Sequence, residues 1–123
     1  MDNLLDKFDS LVSRITDILK CPDTGVEDVE VYLDELLSFI NSNLERKDEF
    51  EKKFKDMLYA QPNTPLEIYW YCMHELRWLE VYNSVVDYKK NSTDLRCKRY
   101  AELILECFSS EWKDAVIFSK YRN

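Results

Sequence analysis

Residues 65–77 read "PLEIYWYCMHELR". Leu66, Ile68, Tyr69, Trp70, Tyr71, Cys72, Met73 and Leu76 place apolar or aromatic groups on nearly every side of a helical wheel. A helix that is apolar all round belongs in the middle of a protein, with other elements packed around it. The preceding "QPNTP" marks its start. Thr64 can cap, Pro65 suits the first helical position, and Glu67 completes the spacing of a capping box.

The flanking sequence supplies partners of the same kind. Residues 3–20 carry Leu4, Leu5, Phe8, Leu11, Val12, Ile15, Ile18 and Leu19 at three- and four-residue intervals, the signature of an amphipathic helix that ends at Cys21-Pro22. Thr24 and Glu27 then have capping-box spacing for a second helix over 25–42, with Val26, Val29, Leu33, Leu36, Leu37 and Ile40 on one face. A weaker helical pattern runs over 46–59, and a further helical segment is expected over about 79–90. The next helix covers about 93–108, and a short helix is predicted over 110–120 with Trp112, Ala115, Val116 and Phe118 turned inward. The chain has a single glycine, Gly25, and three prolines, too few turn-formers for a many-stranded protein. The expected fold is all-α: one compact domain over 1–123, with six or seven short helices around the central apolar one.

At 123 residues and 46% apolar content, such a domain needs no metal or disulfide staple. The cysteines at 21, 72, 97 and 107 form no C-x-x-C pair, and His74 is the only histidine, so a structural zinc site is not expected. The opening "MDNLLDKFDS" lacks the basic start and unbroken apolar core of a secretory leader, and no apolar run reaches membrane-spanning length. These features predict a cytoplasmic protein with reduced thiols.

Charge is distributed unevenly. The whole net charge of −7 resides in residues 1–60, and residues 61–123 are balanced. No Lys or Arg occurs between Lys20 and Arg46, whereas Asp23, Glu27, Asp28, Glu30, Asp34, Glu35 and Glu45 all do. Direct binding to nucleic-acid phosphates is disfavoured, and a cationic partner is favoured.

Candidate chemistry is sparse. His74-Glu75 would need a second histidine at position 78 to form the zinc-protease motif, and Trp78 stands there. Cys72 and His74, two apart on one helix, do not face each other. Arg77, beside Trp78 and close to Glu75, with Glu80 and Glu67 as alternative partners, reads as part of an ion pair that fixes helix packing. One glycine permits no glycine-rich phosphate loop, and one histidine falls short of a carboxylate-bridged di-metal site. The cluster "RCKRY" at 96–100 reads as a solvated face, or as internal ion pairs, more readily than as a nucleic-acid contact. No catalytic residue, metal or cofactor is therefore expected. In the helix over 25–42, Glu27, Asp28, Asp34 and Glu35 gather opposite the apolar face, around Val31 and with Tyr32 at the border. Two readings stand for them: a docking patch for a basic protein, or a solvated acidic face carrying one valine.

In "MHELRW" and "RYAELILECFSSEWKDAVIFSKY" the sequence resembles small bacterial immunity proteins that accompany polymorphic toxins, including those of contact-dependent growth inhibition. The residues concerned are Glu75, Leu76, Arg77 and Trp78, then Ile104, Leu105 and Phe108, then Glu111, Trp112, Asp114 and Ala115. Leu79 stands where that pattern often has proline. The resemblance implies a protein without activity of its own, which binds a cognate toxin C-terminal domain in the cytosol and blocks it. A cationic nuclease would suit the acidic charge, with no direct contact to nucleic acid or membrane. The alternatives are an acidic nucleic-acid mimic that inhibits a nuclease of a defence system, and a non-enzymatic helical adaptor. A toxin reading frame directly beside the gene would favour the first reading.

Overall fold

The computed structural model describes residues 3–122, and within them six α-helices and no strand. They are α1 (Asn3–Leu19), α2 (Val26–Asn41), α3 (Lys47–Met57), α4 (Leu66–Leu76), α5 (Leu79–Asn91) and α6 (Leu95–Glu106). Short 3-10 turns occupy Leu44–Arg46, Lys113–Ile117 and Ser119–Tyr121. α1 packs along α2, α5 along α6, and α3 on α5, while α4 touches both α2 and α6. One hydrophobic core draws residues from all six helices.

α4 lies at the centre, as its sequence predicts, and its aromatic side chains also carry polar tips to its neighbours. Successive helical residues point about 100° apart, so Tyr69, Trp70 and Tyr71 face different partners. The Tyr69 hydroxyl donates to the Phe54 carbonyl of α3 at 2.7 Å. Trp70 Nε1 donates to the Leu103 carbonyl of α6 at 2.9 Å, and the Tyr71 hydroxyl to the Asp34 carboxylate of α2 at 3.0 Å. His74, one turn beyond Trp70, donates from Nδ1 to the Cys107 carbonyl just past α6, at 2.8 Å. Phe54 and Leu103 are among the last four carbonyls of their helices, which have no amide partner within the helix. α4 thus buries its rings and uses their polar ends to close α3 and α6.

The helix boundaries differ from the expected ones where a side chain has a tertiary use. At α2 the cap is Gly25, whose amide donates to the Asp28 carboxylate at 2.9 Å. Thr24, expected to cap with Glu27, instead donates its hydroxyl to the carbonyls of Ile18 and Cys21 at the end of α1. Thr64, expected to cap α4, donates to the Met57 carbonyl at 2.9 Å, and its own carbonyl accepts from the Tyr100 hydroxyl at 2.6 Å. Pro65 takes the cap position, and Thr64 ties the end of α3 and the start of α4 to the middle of α6.

α4 stops because Arg77 adopts a left-handed conformation, with φ 46°. The turn brings Arg77 back over its own helix, where Nε donates to the His74 carbonyl at 2.9 Å. The expected Arg77–Glu75 pair is therefore absent. Glu75 accepts from Asn41 at 3.1 Å and pairs with Lys120 at 3.1 Å, and Lys47 takes the place over the Trp78 ring, at 5.5 Å. α5 starts at Leu79 without a proline, since Arg77 has already broken the helix.

The helix expected over 110–120 is two 3-10 turns. Trp112, Ala115 and Phe118 are buried, and Tyr121 is half-buried. A spacing of three lines these groups on one edge of a helix with three residues per turn, whereas an α-helix would rotate them apart. Val116, expected in the core, is exposed as a result.

Candidate docking surface

α2 meets the rest of the protein along two borders and leaves a strip between them. Its inner side, Val29, Leu33, Leu36, Leu37 and Ile40, is buried. Along the α1 border, Arg14 lies over the Tyr32 ring at 5.6 Å and Lys7 over Phe39 at 5.2 Å. Along the other border, the Glu30 carboxylate accepts the backbone amides of Ser119 and Lys120 at 2.8 and 3.0 Å. Between them Glu27, Val31, Asp34 and Glu35 are all exposed, and Val31 shows 66% of its surface.

The six residues singled out from the sequence therefore separate into roles. Glu27, Val31 and Glu35 share the outward strip, and the two carboxylates have no hydrogen bond or ion pair among the described residues. Asp34 is exposed beside them, but it also holds the Tyr71 hydroxyl. Asp28 is taken up by the helix cap. Tyr32 is half-buried at the margin, under Arg14. α1 thus supplies Arg14 and Lys7 to a border that looks free of basic residues in the sequence. Glu30 is the residue that the sequence does not single out. Its partners lie about ninety positions away, and the local acidic run does not distinguish it from its neighbours.

His74 is buried, packed edge-on against Trp112 and Tyr121 with ring centroids 5.2 and 4.7 Å away. Its Nδ1 bond to a carbonyl makes it a helix-closing group. In "RCKRY", the Tyr100 side chain is buried, while Arg96 and Arg99 are exposed. Among the described residues, no three His, Cys, Asp or Glu side chains gather as a metal site, and no helix is long and apolar enough to cross a membrane.

All four cysteines are free thiols, with Cys21 exposed, Cys97 half-buried, and Cys72 and Cys107 buried. Burial pushes the Cys72 and Cys107 thiols far above the ordinary range. A thiol reagent applied to the native protein should label Cys21 quickly, Cys97 slowly, and the other two only after unfolding. All four should react in denaturant without reductant, and a smaller number would show a disulfide.

Glu51 in α3 is a buried carboxylate, 7% exposed. Burial raises its pKa, against a smaller opposing effect of Lys47. A raised folded-state pKa means that the ionised form is disfavoured in the fold, so the penalty is present at neutral pH and vanishes once both states are protonated. Glu51→Gln should therefore be more stable than the parent at pH 7, with the gain shrinking as pH falls through the raised folded-state pKa and gone below about pH 4, the range of an unfolded glutamate. Urea melts at the two pH values check this, and a gain that persists in acid would refute it.

No family model, curated protein or solved structure matches the chain.

Proposed function

We propose that this chain is an immunity protein, which binds a cognate toxin domain in the cytosol of the producing cell and blocks it through the outward strip of α2. The observation that carries the reading is Val31, an exposed apolar side chain ringed by Glu27, Asp34 and Glu35 on a helix whose inner face is fully packed. An apolar centre inside a charged rim is the anatomy of a protein-binding patch. The rim is acidic, so its complement is a basic surface. A nuclease domain has one, because its substrate groove must attract phosphates. The E-L-R-W and E-W-x-D-A resemblance supports the same reading. Neutralisation then requires only binding over the groove or beside it, with no chemistry on this chain.

The first test is co-expression with the product of the gene directly upstream, tagged for capture. A stable complex and rescue from that product's toxicity are expected. Neither rescue nor complex would remove the reading. The second test addresses the surface. Glu27→Gln/Glu35→Gln alters two carboxylates that hold nothing in the fold, so stability should change by less than about 0.5 kcal/mol. Association should slow several-fold at low salt, and the difference should shrink as salt screens the rim. Unchanged rates would move the docking surface elsewhere, first to the charged face of residues 45–56.

A further inference from the structure

We propose that the groove between α5 and α6 binds a small amphipathic anion, a soluble molecule with an aromatic or aliphatic body and a phosphate or carboxylate head. The groove encloses about 370 Å³ and is lined by Val86, Lys89, Lys90, Lys98 and Leu105. That volume falls in the range of small-molecule clefts. Val86 and Leu105 are half-buried and form its apolar floor. The helices run antiparallel here. One turn along from the floor, Tyr82 and Phe108 stand edge to face at 5.2 Å and continue the apolar surface.

The head-group end is cationic in a protein of net charge −7. Lys89 is paired with Glu102 at 3.4 Å. Lys90 and Lys98 have no carboxylate partner among the described residues, so the groove keeps an uncompensated positive charge. Lys89 and Lys90 sit in the last turn of α5, where a cation complements the helix dipole. Lys98 does not have that explanation. It stands near the start of α6, where the Asp94 carboxylate caps the helix, accepting from the Arg96 amide at 2.8 Å and lying 3.9 Å from the Arg96 side chain. Asp94 thus answers the helix start and Arg96, and the charge left for an anionic head group is that of Lys90 and Lys98, which line the groove. Charge alone would accept any phosphate. The apolar floor selects a molecule with a body to lay on it.

The test is a two-dimensional amide NMR titration of the full chain with phenyl phosphate, beside inorganic phosphate and benzyl alcohol. Phenyl phosphate should shift the amides of Val86, Lys89, Lys90, Lys98 and Leu105 saturably, and both half-molecules should bind at least about tenfold more weakly. Lys90→Gln/Lys98→Gln, at two exposed or half-exposed positions, should keep the native spectrum and lose about tenfold in affinity. Glu102→Gln, which releases Lys89, should bind more tightly than the parent. The proposal is overturned if phenyl phosphate causes no saturable shift in the groove, if inorganic phosphate binds as well, or if the double variant binds like the parent. It is overturned equally if only anionic phospholipid vesicles shift these amides. None of these outcomes depends on a toxin or on α2.

Discussion

Tyr69→Ala is expected to destabilise the protein by about 3–5 kcal/mol, the range for removing a fully buried ring. Tyr69 is wholly buried, with Phe54 and Tyr100 rings at 5.7 and 6.5 Å. The hydroxyl contributes separately. Burial, with Tyr100 and Tyr88 nearby, holds it far above the ordinary phenol range, so it remains a donor to the Phe54 carbonyl. Tyr69→Phe keeps the ring and leaves that carbonyl without its partner, at a cost of about 1–3 kcal/mol. Tyr71→Phe is the matched comparison. Its acceptor, Asp34, is exposed, and water can replace the lost donor, so the cost should stay below about 1 kcal/mol. Urea denaturation of the three variants checks the ordering. Equal costs for Tyr69→Phe and Tyr71→Phe would mean that α4 contributes packing alone and does not close α3.

On the proposed function, Val31→Asp is expected to release a cognate toxin domain about thirtyfold faster, the loss typical of a central interface residue. The substitution adds a negative charge to an already acidic rim, so steering toward a basic partner is kept or strengthened. Association should then be unchanged or faster while dissociation accelerates, at low and at high salt alike. That opposition separates a desolvated apolar centre from a purely electrostatic surface, on which Val31→Asp would only help. Val31 is 66% exposed in the free protein, so the fold itself should be almost unaffected. Slow release retained in Val31→Asp would take α2 out of the interface, even if the toxin is still neutralised.

Much of the fold is legible in the chain, because burial patterns are local. The all-round apolar character of residues 66–76, the three- and four-residue spacing of α1 and α2, and the shortage of glycine each follow from which side chains must leave water. The outward strip of Glu27, Val31 and Glu35 is legible for the same reason, as the remainder once the inner face is assigned. The rest depended on groups distant in sequence. Thr24 and Thr64 have good capping spacing but close other helices, since a buried carbonyl that lacks a donor is costlier than a cap made by a neighbour. The 3-10 turns of the chain's end follow from core positions three apart, a pattern that single-helix periodicity also permits.

What the sequence determined by itself was the helical class, the buried centre and the placement of net charge, all set by composition and by periods of a few residues. The tertiary structure alone decided which polar groups are spent inside the fold. It assigned Asp28 to a cap, Asp34 to Tyr71, Glu30 to the amides of Ser119 and Lys120, and His74 to the Cys107 carbonyl. It also set Lys90 and Lys98 of two neighbouring helices around one groove. The physical reason is range: hydrophobic periodicity is written along the chain, whereas a hydrogen bond or an uncompensated charge exists only once distant segments meet.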